Sequence, residues 1–266
     1  MHPLTDLDVV KGTIAIHWFE QSTFALKDPN GTVVQVDPYF PRDRSPEQFI
    51  HAKAPLDESH LRTDAVLLTH AHGDHTCTES ILRIHANFNN VKYVGPHESI
   101  QQILTETNIP TEQTHVVDAG DIVELGAMTA YAVYAKPPAG DPEADIAPPD
   151  VTHLGYVIDA VGVKAYFSGD PINNFADHDN LVTPIADLNP DIGFLTNHPT
   201  EGEFPFFSGS VKMARRIGLK HVAPTHRACF VKRDYNPDEW AANFSDTDPK
   251  PIIMERNSYI VYSPQN

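Results

Sequence analysis

The chain has 266 residues and 41% hydrophobic side chains, enough for one α/β domain over 1–266 with a real apolar core. Its 36 acidic against 19 basic residues give a net charge of −17, which disfavours nucleic-acid backbone as a partner and argues against an anionic membrane surface. Only two cysteines occur, Cys77 and Cys229, which is no disulfide framework, and no basic leader or run of roughly 18 apolar residues is present, so a cytoplasmic protein is expected. In chain order, residues 12–19 alternate apolar and polar side chains as a half-buried strand does. Residues 23–26 and 32–36 predict two more strands. Asp28-Pro29-Asn30-Gly31 between them predicts a hairpin turn, because Asn-Gly reaches positive φ at little cost. Asp37 ends the third strand and opens an Asp-Pro turn. Residues 40–63, rich in proline and charge, predict a loop with a short helix.

The apolar run Ala65-Val66-Leu67-Leu68 predicts a buried strand, and Thr69-His70-Ala71-His72-Gly73-Asp74-His75 follows it directly. Thr76 and Thr78 are the first candidate helix caps beyond. The cluster therefore falls where a strand ends and a helix begins, the place where α/β sheets hold ligands. If the strand direction continues, His70, His72 and Asp74 point the same way, and His75 swings with the turn. Gly73 is expected to permit the sharp path that lets Asp74 and His75 face a second position. Packed neutral, three imidazoles and a carboxylate would leave many donors and acceptors unpaired, so a metal site is the better reading. His70 and His72 would serve one divalent cation, Asp74 and His75 its neighbour. Such mixed ligands accept zinc or manganese, and iron as well.

His70-Ala71-His72-Gly73-Asp74-His75 matches the signature H-x-H-x-D-H. Together with residues 23–37, the strand Gly155-Tyr156-Val157-Ile158 and Ser168-Gly169-Asp170, it makes the sequence resemble the metallo-β-lactamase superfamily. The resemblance is to the branch that includes the L-ascorbate-6-phosphate lactonases, not to the antibiotic-degrading enzymes. It implies a four-layer αββα sandwich holding two divalent metal ions per chain. It also implies that Asp37 lies behind the ligands and fixes the tautomer of a histidine, a role that competes with a plain turn residue.

After the signature, residues 78–86 and 98–106 predict helices around a short strand at 91–94. Residues 116–125 carry the turn Asp118-Ala119-Gly120-Asp121, and 128–134 alternate as a strand. Residues 135–149 hold five prolines and predict a loop. His153 precedes the strand at 155–158. By resemblance it completes the first metal site, although relatives often carry that histidine slightly upstream, at 134–138, where this chain has none. Residues 163–167 predict the next strand and lead to Asp170, which the resemblance makes a carboxylate bridging both ions, since its two oxygens each have free lone pairs. Residues 187–196 read as loop and strand. His198 beyond them is a substrate contact, a replacement ligand for His153, or a turn residue before Pro199. Residues 208–217 predict a helix, and Val222-Ala223-Pro224-Thr225 leads to His226, by resemblance the remaining ligand of the second ion. Arg227 beside it is a candidate for an anionic substrate or part of a solvated face. A helix after Pro237 and a closing strand at 258–262 complete the reading.

The expected function is metal-dependent hydrolysis by a hydroxide bridging the two ions, with Asp74 orienting it and passing a proton to the leaving group. The resemblance implies opening of a lactone or small ester of a sugar acid, phosphorylated or not. The alternatives are hydrolysis of a small phosphodiester and a non-hydrolytic metal-binding role. The partner is a small molecule rather than nucleic acid or membrane, and the sequence does not fix the oligomeric state.

Overall fold

The structure is a computed structural model and describes residues 2–141 and 146–265. After a short helix α1 (Pro3–Asp6), the first sheet contains β1 (Ile14–Glu20), β2 (Thr23–Lys27), β3 (Val33–Val36), β4 (Ala65–Leu67), β5 (Lys92–Gly95) and β6 (Thr114–Val116). The second contains β7 (Ile122–Leu125), β8 (Met128–Tyr134), β9 (Leu154–Ala160), β10 (Val163–Phe167), β11 (Ile192–Thr196), β12 (His221–Thr225) and β13 (Lys250–Pro251). The closing strand β14 (Ser258–Tyr262) crosses back and pairs antiparallel with β1, so each sheet has seven strands. Each sheet starts antiparallel and turns parallel, at β3 in the first and at β10 in the second.

Parallel neighbours need crossovers, and helices supply them. Helices α2 (Thr78–Asn87) and α3 (His97–Glu106) cover the first sheet, where Ile81, Ile84, Ile100 and Ile103 pack on Val66, Leu68 and Tyr93. Helices α4 (Asp179–Leu188), α5 (Phe207–Ile217) and α6 (Pro237–Ala241) cover the second, with Ile185, Met213, Ile217 and Trp240 against Val157, Tyr166, Leu195 and Val222. Between the sheets, Ile16, Trp18, Leu26 and Val34 meet Met128, Ile158, Phe167 and Phe194. Strands buried on both faces explain why β1 and β11 are buried along their whole length. The order of layers is helix, sheet, sheet, helix, the expected αββα sandwich.

Several sequence expectations change. Strand β4 stops at Leu67, and residues 68–77 form a turn in which the amides of His75 and Thr76 both donate to the carbonyl of His72. A continuing strand therefore does not align His70, His72 and Asp74. Gly73 is not in the left-handed region, and a Cβ there would meet nothing within 4 Å. Its small size leaves space open instead of enabling a sharp path. The residue before α2 is Cys77, which makes no side-chain cap, rather than Thr76 or Thr78. Helix α4 was not expected. It carries Pro184 in its interior, but Asn180, whose carbonyl loses its partner, lies on the exposed face where water can replace it. Of the proline-rich loop at 135–149, residues 142–145 lie outside the described residues. The loop at 40–63 contains only a 3₁₀ turn, Glu58–His60. Arg44 fastens it to Glu20 at the end of β1, both side chains being fully buried, and Arg256 donates to the other Glu20 oxygen at 2.8 Å. Among the described residues no helix is long and apolar enough to cross a membrane.

Candidate metal centre

Four chain segments leave the strands on one rim and converge there. The turn after β4 brings His70, His72, Asp74 and His75. His153 stands just before β9, Asp170 follows β10, and His226 follows β12. The backbone at this rim is held in uncommon conformations. Asp37 has φ +44° and His226 φ +63°, regions that non-glycine residues enter only when the surroundings enforce them. Gly169 has φ +56°, and a Cβ there would sit 2.3 Å from the carbonyl oxygen of Leu154. Only glycine lets the chain bring Asp170 this close to the β9 entry.

The ligand-type atoms fall into three overlapping groups, each within 4.8 Å: His70 with His72 and His153, His70 with His75 and Asp170, and Asp74 with His75 and His226. Asp170 joins the outer two. Its Oδ2 lies 3.4 Å from His75 Nε2, 3.6 Å from His70 Nε2 and 3.7 Å from His226 Nε2. The rings of His70 and His153 face each other at 4.1 Å. Nε2 of His70, His75 and His153 and Oδ1 of Asp170 are buried without a hydrogen-bond partner. Orphaned buried atoms of this kind are costly, and a cluster of lone pairs converging on shared space is what divalent cations satisfy. The donor set fits two such ions, a three-histidine position and an Asp74, His75, His226 position, with Asp170 between them.

The tautomers follow from the outer contacts. Nδ1 of His75 donates to Asp37 Oδ2 at 2.7 Å. The Thr69 hydroxyl donates to the same oxygen at 2.6 Å and lies 3.0 Å from His70 Nδ1, from which it accepts. His70, held neutral, thus keeps Nε2 as a lone pair facing inward, and His75 would present the same lone pair once a cation displaced its Nε2 proton. Asp37 itself is anchored by the Thr69 amide at 2.8 Å. The charge states set His75 apart from the other three histidines. Burial holds His70 and His226 well toward the neutral form, and burial followed by nearby Lys136 brings His153 down to about 3. Burial resists ionisation of Asp170, but His75 and His226 outweigh it and hold the carboxyl well below the usual range. Burial also resists charge on His75, and Asp170, Asp74 and Asp37 together overcome it.

The remaining sequence candidates separate. His198 belongs to none of the three groups. Its Nδ1 accepts from the amides of Thr200 and Glu201 at 3.3 and 2.9 Å, so it ties the turn before α5. Arg227 is directed away from the ligands. Its guanidinium lies over Trp18 at 4.4 Å and donates to the Met254 carbonyl at 2.6 Å, which makes it a packing residue rather than an anion contact. Two cations that sequence reasoning missed, Lys232 and Arg233, line a cavity of about 630 Å³ that opens over Gly73 and Asp74 between Tyr39, Gln48 and Phe230. Two polar side chains at the site were missed as well. Asp150 Oδ2 accepts from His72 Nε2 at 3.0 Å, and Gln21 Nε2 lies 2.8 Å from both Asp74 Oδ2 and His226 Nε2. The available signals were the spacing Asp150-x-x-His153 and the polar run Glu20-Gln21-Ser22 interrupting two apolar strands.

Comparison with known proteins places this geometry. The profile of a family described as the beta-lactamase superfamily domain matches residues 32–227. A UPF0173 metal-dependent hydrolase of Myxococcus xanthus is 25% identical over 234 residues, covering 86% of this chain and 75% of the relative. A Salmonella heidelberg protein named "Probable L-ascorbate-6-phosphate lactonase UlaG" is 24% identical over 269 residues, covering 87% of this chain and 74% of the relative. Among solved structures, the metallo hydrolase Igni18 of Ignicoccus hospitalis has the same fold, with a TM-score of 0.67, 18% identity, and coverage of 94% of this chain and 99% of that one. The chain is a metal-dependent hydrolase of the metallo-β-lactamase superfamily, similar to proteins named UlaG.

Proposed function

We propose that this hydrolase opens a lactone or small ester of a sugar acid, phosphorylated or not, at a site holding two divalent ions, zinc or manganese. The observation that carries the reading is the single Asp170 oxygen facing His70, His75 and His226, which gives two ligand groups a shared member. The ions, when bound, supply an acidified water and an electrophile for the substrate carbonyl. The protein's own groups supply the rest. Asp74, a fifth exposed, is the ligand-group residue that also lines the cavity, which places its carboxylate beside an incoming substrate. His75 and His226 offset its burial and keep it ionised, and with Oδ2 engaged by Gln21, Oδ1 is the oxygen left to take a proton from the attacking water and release it to the leaving oxygen. The cavity volume suits a small molecule, Tyr39 and Phe230 offer an apolar wall, and Lys232 and Arg233 offer cations to a carboxylate or phosphate. Cys229 is disfavoured as a nucleophile, because burial followed by Glu20 raises its thiol far out of the reactive range.

The same two cations also favour a small phosphodiester as the alternative substrate. Metal analysis of the purified protein is expected to give about two ions per chain. A substrate panel with added manganese or zinc is expected to show turnover of lactones over bis-p-nitrophenyl phosphate, and Asp74→Ala to lower it by roughly 10²–10⁴-fold. Fewer than half an ion per chain would overturn the metal reading. Preference for the phosphodiester would replace the lactone, and undiminished turnover in Asp74→Ala would remove that residue from the chemistry.

A further inference from the structure

Gln21 sits in the two-residue turn between β1 and β2, fully buried, with φ +53°. Its backbone is fixed on three sides. The amide donates to the Arg227 carbonyl at 3.0 Å, and the carbonyl accepts from the His226 amide at 3.0 Å and from Trp18 Nε1 at 3.0 Å. The chain thus holds a strained conformation that locks Gln21 to His226. The carboxamide enters the space between Asp74 and His226, with Nε2 2.8 Å from each ligand atom, while Oε1 is buried without a partner. This arrangement is incompatible with a loaded site. His226 Nε2 has one lone pair, and it cannot serve both a cation and an amide N–H. The two ends of a carboxamide have nearly the same shape, and a half-turn about its last bond exchanges them. Ligand atoms on one cation, with bonds of about 2.0–2.2 Å, stand roughly 3 Å apart, which is the spacing found here.

We propose that Gln21 is a further ligand of the Asp74, His75, His226 position, binding through Oε1 once the amide has turned. The inference rests on the two-ion reading above. It assigns to this position a neutral oxygen beyond the histidines and carboxylates, and makes it the more oxygen-rich of the two. Hard, higher-coordinate ions such as manganese favour such a set over the three-histidine position, where nitrogen donors suit zinc.

The test is titration of the chelator-treated full-length protein with manganese chloride, comparing the native chain with Gln21→Leu and Gln21→Glu. The native chain is expected to take two ions, and Gln21→Leu to bind the tighter of them at least tenfold less tightly. Gln21→Glu is expected to bind at least as tightly as the native chain, because it places a charged oxygen at the same point. A side chain that only donated an N–H to Asp74 would give the opposite sign, since a second carboxylate there would repel Asp74. Circular dichroism establishes that each variant is folded. Two ions of unchanged affinity in Gln21→Leu, or weakened binding in Gln21→Glu, would overturn the assignment of Gln21 alone. A native chain binding fewer than two ions would overturn it together with the two-ion reading.

Discussion

Asp37 shows how much one side chain settles at this site. It accepts from His75 Nδ1, the Thr69 hydroxyl and the Thr69 amide, all within 2.8 Å. Burial still holds its carboxyl above the usual range against the pull of His75. Asp37→Asn keeps the shape and tolerates the left-handed backbone, but its NH2 cannot accept, so at least one of the three donors loses its partner and no charge balances the imidazole. Metal affinity is expected to fall about 10–100-fold with little change in fold, measured by competition with a chromogenic chelator. An unchanged affinity would reduce Asp37 to a turn residue. At this scale, the signature from His70 to His75 was readable because its members adjoin in sequence, so the cluster needs no knowledge of the fold. Gln21 and Asp150 were not. Each is an isolated polar residue whose neighbours at the site are supplied by strands far away in the chain. Arg227 was misjudged for the same reason. Its adjacency to His226 in sequence says nothing about the direction of its side chain, and Trp18 on β1 decides that direction.

Between the elements, Gly169 is the tightest point of the rim. Alanine there meets the Leu154 carbonyl oxygen at 2.3 Å and Thr69 Cβ at 3.1 Å, in a conformation that already disfavours a side chain. Gly169→Ala is expected to cost roughly 2–4 kcal/mol, a sum of left-handed strain and displaced backbone, and to lower metal stoichiometry because Asp170 moves with it. Urea denaturation and metal analysis of the variant check the two effects separately. Strands were the most legible elements. The alternation over 128–134 and the run over 163–167 carry their own period, and β8 and β10 occupy those residues. Helix α4 was illegible because Pro184 signals a break, and only the exposure of Asn180 explains why the helix continues. The parity argument failed in the turn after β4, since periodicity ends where the ladder does.

Across the whole molecule, acidity should weaken the fold through a histidine pair remote from the metal groups. His2 and His17 stack edge to face at 4.4 Å, and burial brings them down to about 3 and about 4. In the unfolded chain both titrate near 6.5, so at lower pH the unfolded state binds protons that the native state refuses. Their contribution is full above about pH 6.5 and declines as pH falls toward 4. The denaturant midpoint of chelated protein should therefore drop between pH 7.5 and 5.0. His17→Gln, which can still reach Asn257 Oδ1 but does not titrate, should show a smaller drop. Equal slopes would mean the pair is silent. The layering itself was legible from the recurring strand and helix periods and from the superfamily signature, whereas the crossing of β14 to the opposite sheet depends on a pairing that no local pattern announces.

The division of donors between the sheets has a temporal side. His70, His72, Asp74 and His75 all emerge early from the ribosome, but His153, Asp170 and His226 come later, and on the other sheet. A nascent chain can grip an ion only loosely until β12 has been made, and closing that long loop costs little more entropy than closing a shorter one. Ions held by all seven would join the two sheets at their shared rim. On the two-ion reading, metal supply would bear on when the sandwich is finished as well as on whether it can react.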